Sequence, residues 1–157
     1  MRAVRHIGIV VSDLEKSLRF YRDLLGLKVV RVMRESGEYI DNMLALENVQ
    51  VTTVKMSADS GSALIELLEF KSHPHETPAK RKVYSIGPSH VAFTVDNLDA
   101  VYRRLVEAGV SCNAAPQLSP DGYAKVTFCQ DPDGTLVELV EVLDPSGLSS
   151  YSEAGQT

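Results

Sequence analysis

The apolar positions of this chain change period twice in the same order. In "HIGIVV" (6–11), Ile7, Ile9 and Val11 alternate with His6, Gly8 and Val10, the two-residue period of a strand. Ser12 and Glu15 then offer an S-x-x-E capping box. Leu14, Leu18, Tyr21 and Leu25 follow helical spacing, and Gly26 can take the left-handed C-terminal position. The order returns in "HVAFTVDNLDAVYRRLVEAGV" (90–110). There Val91, Phe93 and Val95 oppose His90, Ala92 and Thr94, Asp96 can cap, Leu98, Val101, Tyr102 and Leu105 form the stripe, and Gly109 ends it. Aligned without gaps, His6, Val11, Leu14 and Arg19 match His90, Val95, Leu98 and Arg103; the shared order of features is the stronger signal of a repeat.

The repeat also closes alike. "LIELLEF" (64–70) and "LVELVEV" (136–142) each follow turn residues, "SADSGS" and "DPDG", and the second suits a type I turn with Pro132 at its second position and Gly134 at its fourth. Each half is therefore expected to end in a β-hairpin. The pattern predicts β–α–β–β–β twice. Strands are expected near 4–11, 27–34, 49–57 and 62–70 with a helix at 13–24, then near 89–95, 110–115, 123–130 and 135–142 with a helix at 97–108. Glu66 follows His6 by 60 positions but Glu138 follows His90 by 48. "ESGEYIDNMLALE" (35–47) supplies the difference, and Ile40, Met43 and Leu44 have the spacing of a short helix there. Residues 71–88 read as a linker between modules 4–70 and 89–143, and 144–157 as a loose tail.

Composition narrows the function. Apolar residues make up 44% and charged residues 24% of 157 positions, an ordinary globular balance for one domain, placed at 1–143. A net charge of -5 argues against nucleic acid or an anionic membrane as partner. "KRK" (80–82), with Lys71 nearby, is too short to change that and reads as solvated loop. No apolar run approaches the ~20 residues of a membrane-spanning helix. The N-terminus lacks a small-residue cleavage site and reads as a first strand rather than a signal peptide. Cys112 and Cys129 have no CxxC spacing and no nearby histidine, which suggests free thiols and a cytoplasmic location.

Glu138 stands between Leu136–Val137 and Leu139–Val140, where an ionised carboxylate costs several kcal/mol to bury unless it is paired or bound to metal. Alternation puts Glu138 opposite in sense to Val137 and Leu139, and Glu66 opposite to Ile65 and Leu67. If the bulky faces cover helices, the other faces present two histidines and two glutamates, with small Gly8 or Ala92 beside each histidine. Taken singly, a histidine at a strand start is an ordinary hydrogen-bonded residue. Recurrence of both types at matching points favours His6, Glu66, His90 and Glu138 as ligands of one divalent ion such as Zn, Ni, Co, Mn or Fe. Glu69 and Glu141 read as edge residues facing solvent, and His73 and His75 as loop residues. No glycine-rich phosphate loop, G-x-S-x-G elbow or Cys/His nucleophile arrangement is present.

"HIGIVVSDLEKSLRFYRDLLGLKVV", "IELLEF", "SHVAFTVDNLDAVYRRLVEAGV" and "DPDGTLVELVEV" resemble the vicinal oxygen chelate superfamily of glyoxalase I, methylmalonyl-CoA epimerase, extradiol dioxygenases and bleomycin- or fosfomycin-resistance proteins. The resemblance covers about residues 4–143. It implies an α+β fold in which paired βαβββ modules form a curved mixed sheet around a metal, and homodimers in many members. His6, Glu66, His90 and Glu138 fall on the metal positions, a set similar to that of bacterial-type glyoxalase I. Epimerases commonly carry glutamine where this chain has Glu66. Near their second catalytic acid only Asp41 is acidic.

A second carboxylate on the metal would occupy a position that a ring-cleaving iron dioxygenase keeps open. The expectation is therefore a metal-dependent lyase or isomerase. It would abstract a proton next to the carbonyl or thioester of a small-molecule substrate through a metal-stabilised enediolate, with Glu138 or Glu66 as base. The alternatives are an iron-dependent ring-cleaving dioxygenase and a non-catalytic binding protein of the drug-resistance type.

Overall fold

The computed structural model describes residues 2–61, 63–75 and 83–143. The chain divides into two compact units, Met1–Lys80 and Arg81–Thr157. "KRK", much of the expected linker and the expected tail lie outside the described residues.

Unit one runs β1 (His6–Val10), α1 (Leu14–Leu18), β2 (Lys28–Ser36), α2 (Glu38–Leu44), β3 (Gln50–Ser57) and β4 (Leu64–Phe70). Its sheet has the order β1-β4-β3-β2. β1 lies parallel to β4, and the other pairs are antiparallel. Unit two runs β5 (Val91–Thr94), α3 (Leu98–Glu107), β6 (Gln117–Leu118), β7 (Ala124–Gln130) and β8 (Leu136–Val142). Its order, β5-β8-β7-β6, repeats the first, again with one parallel pair, β5 with β8. Among the described residues, two mixed four-stranded sheets with three helices and a π-helical segment make the α+β class that the resemblance implies.

In both units the last strand is central and its odd-numbered residues face the apolar core. Leu67, Val137 and Leu139 are wholly buried and Ile65 nearly so. Burying each such side chain is worth about 1.5–3 kcal/mol. In unit two Leu98 and Leu105, two turns apart on α3, are wholly buried as well. Gly26 and Gly109 take positive φ (84° and 78°) after the helical segments, as their positions in the repeat require. The "DPDG" turn forms with Gly134 N–H donating to Asp131 O at 3.0 Å. Asp131 Oδ1 also accepts from Asp133 N and Thr135 N.

Several boundaries differ from expectation for local reasons. The N-cap of α1 is Asp13, whose Oδ1 accepts from Lys16 N at 3.0 Å, so Ser12 stands one residue outside it. The N-cap of α3 is Asn97, which accepts from Ala100 N, and Asp96 likewise stands one residue outside. α1 runs directly into a π-helical segment, Arg19–Leu24, in which Leu25 N–H reaches back to Phe20 O. The strand expected at 110–115 is displaced to β6. In its place Cys112 alone forms a bridge with Cys129, and the chain then bulges. Thr127 Oγ1 donates to Ala114 O and Gln117 Nε2 to Ala115 O, so side chains replace the ladder at the bulge.

Candidate metal centre

Parallel pairing sets Gly8 beside Glu66 and Ala92 beside Glu138. The histidine two residues earlier, His6 at the start of β1 and His90 just before β5, shares that face. With only a hydrogen or a methyl group between, the imidazole reaches across to the carboxylate. His6 Nε2 lies 3.1 Å from Glu66 Oε2, and His90 Nε2 lies 3.1 Å from Glu138 Oε2. The same pair thus forms in both units from the same register. The glutamates are largely covered, with side chains 10% and 21% exposed, whereas the histidines are about one-third exposed.

Each pair brings a nitrogen and an oxygen donor together at a spacing that suits an ion. With bonds of about 2.0–2.2 Å, neighbouring donors of an octahedral or tetrahedral site stand roughly 2.8–3.6 Å apart. The donor types suit a borderline divalent cation. In unit two Ser89 Oγ lies 2.7 Å from His90 Nδ1. If Nδ1 carries the ring proton toward that hydroxyl, Nε2 presents its lone pair, the usual support for a ligating histidine. Among the described residues no third His, Cys, Asp or Glu joins either pair within its own unit.

The two halves differ in the residue opposite the glutamate. In unit one that register position is Lys55, with Nζ 3.3 Å from Glu66 Oε1 and a side chain only 16% exposed. In unit two it is Phe128, whose ring meets His90 edge-on at 5.4 Å between centroids. Glu66 therefore shares one oxygen with His6 and the other with an ammonium, whereas Glu138 has an aromatic wall in place of that ammonium. Sequence reasoning missed both residues. Counting back from each glutamate through its hairpin, with one more turn residue in unit one, would have found them.

The edge reading of Glu69 and Glu141 is corrected. Glu69 is buried, and its Oε1 accepts from Leu14 N at 3.3 Å while pairing with Lys71 Nζ at 2.7 Å. Glu141 Oε2 accepts from Leu98 N at 3.0 Å. Both carboxylates hold the N-terminus of the helix packed on their sheet. Asp41 is likewise engaged: its Oδ2 accepts from Asn48 N at 3.1 Å and its Oδ1 from Val49 N at 2.8 Å, which fastens α2 to the start of β3. His73 is half-buried with Nδ1 2.7 Å from Ser72 Oγ, and His75 is exposed, as loop residues would be. Among the described residues no helix is long and apolar enough to cross a membrane.

Comparison with known proteins follows the same lines. The model of the Glyoxalase/Bleomycin resistance protein/Dioxygenase superfamily matches residues 3–139. The chain is 32% identical over 142 residues to the Escherichia coli (strain K12) uncharacterized protein YaeR, covering 90% of this chain and 97% of that one. It is 30% identical over 146 residues to the lactoylglutathione lyase of Schizosaccharomyces pombe, covering 87% of this chain but 46% of the enzyme. In structure it is similar to a glyoxalase family protein from Bacillus cereus, with a TM-score of 0.82 at 23% identity over 92% of this chain and 96% of the other.

Proposed function

The chain belongs to the Glyoxalase/Bleomycin resistance protein/Dioxygenase superfamily, and from that membership we propose that it is a divalent-metal-dependent lyase or isomerase that removes a proton next to a carbonyl or thioester. Members of this superfamily typically bind a divalent metal. The candidate ligands in this reading are His6, Glu66, His90 and Glu138. The observation that carries it is the recurrence of one His–Glu pair, at 3.1 Å, from the same register in both units. Two imidazoles and two carboxylates suit Ni, Co, Zn, Mn or Fe.

When bound, the ion would act as a Lewis acid, stabilising negative charge on the oxygens of the substrate. The chain's own residues divide the remaining work unequally. Glu66 has one oxygen engaged by Lys55 and the other facing His6, so neither oxygen is free of a partner. Glu138 has no such ammonium opposite it, and Phe128 holds that register position instead. Glu138 is therefore the preferred base and Glu66 the alternative. Ser89 orients His90, and Phe128 fixes its ring.

The reading extends to a homodimer in the cytoplasm. Val30 and Val32 on the β2 edge are more than half exposed, apolar surface that a second copy would cover. Light scattering at micromolar concentration checks the assembly and should give twice the chain mass. The central experiment is elemental analysis of protein purified without added metal, with calorimetric titration of Ni, Co and Zn. About one ion per chain is expected. A screen of hemithioacetals, acyl-CoA thioesters and catechols then sorts lyase, isomerase and dioxygenase activity. Failure to bind any of the three metals would overturn the reading in favour of a non-catalytic binding protein.

A further inference from the structure

Cys112 and Cys129 are the two cysteines of the chain, and both are free thiols. They are 17 positions apart in sequence and directly opposite in space, as an isolated antiparallel bridge between β7 and the segment that precedes β6. The hydrogen bonds around them define the kind of pairing. Asn113 N–H donates to Phe128 O at 2.8 Å, and Gln130 N–H donates to Ser111 O at 2.9 Å. The flanking residues make the bonds and the two cysteines make none to each other, so they form a non-hydrogen-bonded pair. Such pairs bring their Cα atoms to about 4.5 Å with side chains on one face. That lies at the short end of the roughly 4.4–6.8 Å spanned by disulfides.

We propose that Cys112 and Cys129 form a reversible cross-strand disulfide when the protein meets a low-molecular-weight disulfide oxidant. The two thiols are unequal. Cys129 is wholly buried, and Cys112 is partly exposed. Cys112 is therefore the entry point. Its thiolate attacks one sulfur of the oxidant, the oxidant's S–S bond breaks, and one small thiolate leaves. Cys129 then gives up its proton, and its thiolate attacks the Cys112 sulfur of the mixed disulfide and expels the second small thiolate. Two protein thiols lose two electrons, one small disulfide is reduced to two thiols, and the two protons end on those thiols.

The closed loop runs from Cys112 to Cys129 and contains β6 and the turn before β7, so oxidation braces the edge of the second sheet. The brace needs neither the metal nor the proposed chemistry, although Phe128, which packs on His90, is the neighbour of Cys129. Burial shapes the kinetics. It holds the Cys112 thiol above its ordinary 9 and, with the neighbouring Cys112 and Asp131, pushes Cys129 up to about 12. The thiols therefore persist at neutral pH, and oxidation should quicken by about tenfold per pH unit while the attacking thiol remains mostly protonated.

The test incubates the full chain with oxidised glutathione at about pH 8.5, alkylates the remaining thiols after denaturation, and reads intact mass and linked peptides. The wild-type chain should lose both alkylation sites without retaining glutathione. It should yield a Cys112–Cys129 linked peptide, melt several degrees higher, and revert with dithiothreitol. Cys129→Ser should instead accumulate one glutathione on Cys112. If that variant does not fold, Cys129→Val, an apolar side chain for a wholly buried position, supplies the comparison. Wild-type protein that keeps glutathione on Cys112, links to a second chain through it, or retains both thiols after this treatment would overturn the proposal.

Discussion

Lys55 places its ammonium 3.3 Å from Glu66 Oε1, and the other oxygen of the same carboxylate faces His6 Nε2 at 3.1 Å. An ammonium already occupies part of the charge that a divalent ion would use, and it repels that ion as well. Lys55→Met keeps the length and apolar stem of the side chain but removes both effects. A pair of this kind is worth about 1 kcal/mol, so the Kd for Co or Zn should fall roughly fivefold. Calorimetry on the two proteins checks it. Unchanged or weaker binding in the variant would mean that Lys55 supports the carboxylate rather than competing for it.

Glu138 and Glu66 should separate in kinetics. Glu138→Gln keeps shape and an oxygen donor but loses basicity, so a metal-loaded variant should lose about 10²–10⁴-fold in rate once a substrate is found. Glu66→Gln should cost mainly metal affinity, because its carboxylate is shared with Lys55. The separating measurement is solvent-deuterium exchange at the carbon next to the substrate carbonyl. Parental exchange in fully loaded Glu138→Gln would transfer the base role to Glu66.

The two-residue period made the faces legible from sequence: it set Glu66 and Glu138 opposite in sense to the apolar residues beside them, and parallel register then brought each to the face of its histidine. The same alternation set Glu69 and Glu141 on the helix side, and the edge reading erred by giving no weight to the bare N–H groups of a helix start. Cap positions slipped by one residue because Ser12–Asp13 and Asp96–Asn97 each place two cap-competent residues side by side. Lys55 and Phe128 belong to the site only through antiparallel register, which depends on turn length and is not a local property of either strand. Cys112 faces Cys129 for the same non-local reason.

Glu141 should matter to folding and not to metal. Its carboxylate accepts the Leu98 N–H at the start of α3, a charged hydrogen bond aided by the helix dipole. Glu141→Ala should destabilise the protein by roughly 1–2 kcal/mol, with metal affinity unchanged. Urea unfolding and calorimetry together decide. A large loss of metal binding in a folded Glu141→Ala protein would reassign the residue to the site.

Asp41 offers a sharper contrast between structure and chemistry. Both of its oxygens accept backbone N–H groups, from Asn48 and Val49. Asp41→Asn retains one acceptor and loses the other, at a cost of roughly 1–2 kcal/mol. Its catalytic rate should stay within a few-fold of the parent. A loss approaching that of Glu138→Gln, in protein that is folded and metal-loaded, would show that Asp41 serves as a second catalytic acid.

Acid should weaken the fold through its surface aspartates. The Lys16 N–H holds the Asp13 carboxyl below its ordinary 3.8, and side-chain hydrogen bonds from Arg22, Lys28 and Ser119 do the same for Asp23, Asp59 and Asp121. A carboxyl that ionises more readily when folded adds stability above its unfolded value, and that stability disappears as pH falls through the lowered folded value. The loss should therefore begin near pH 4 and deepen below it. Asp13→Asn isolates one contributor, because asparagine can still cap a helix, as Asn97 does for α3. Urea midpoints measured from about pH 6 to pH 3 should fall less steeply for the variant than for the parent. High salt should flatten the contributions of the exposed Asp23–Arg22 and Asp59–Lys28 pairs while sparing the Asp13 hydrogen bond. An identical slope for parent and variant would show that the Asp13 cap contributes nothing to acid sensitivity.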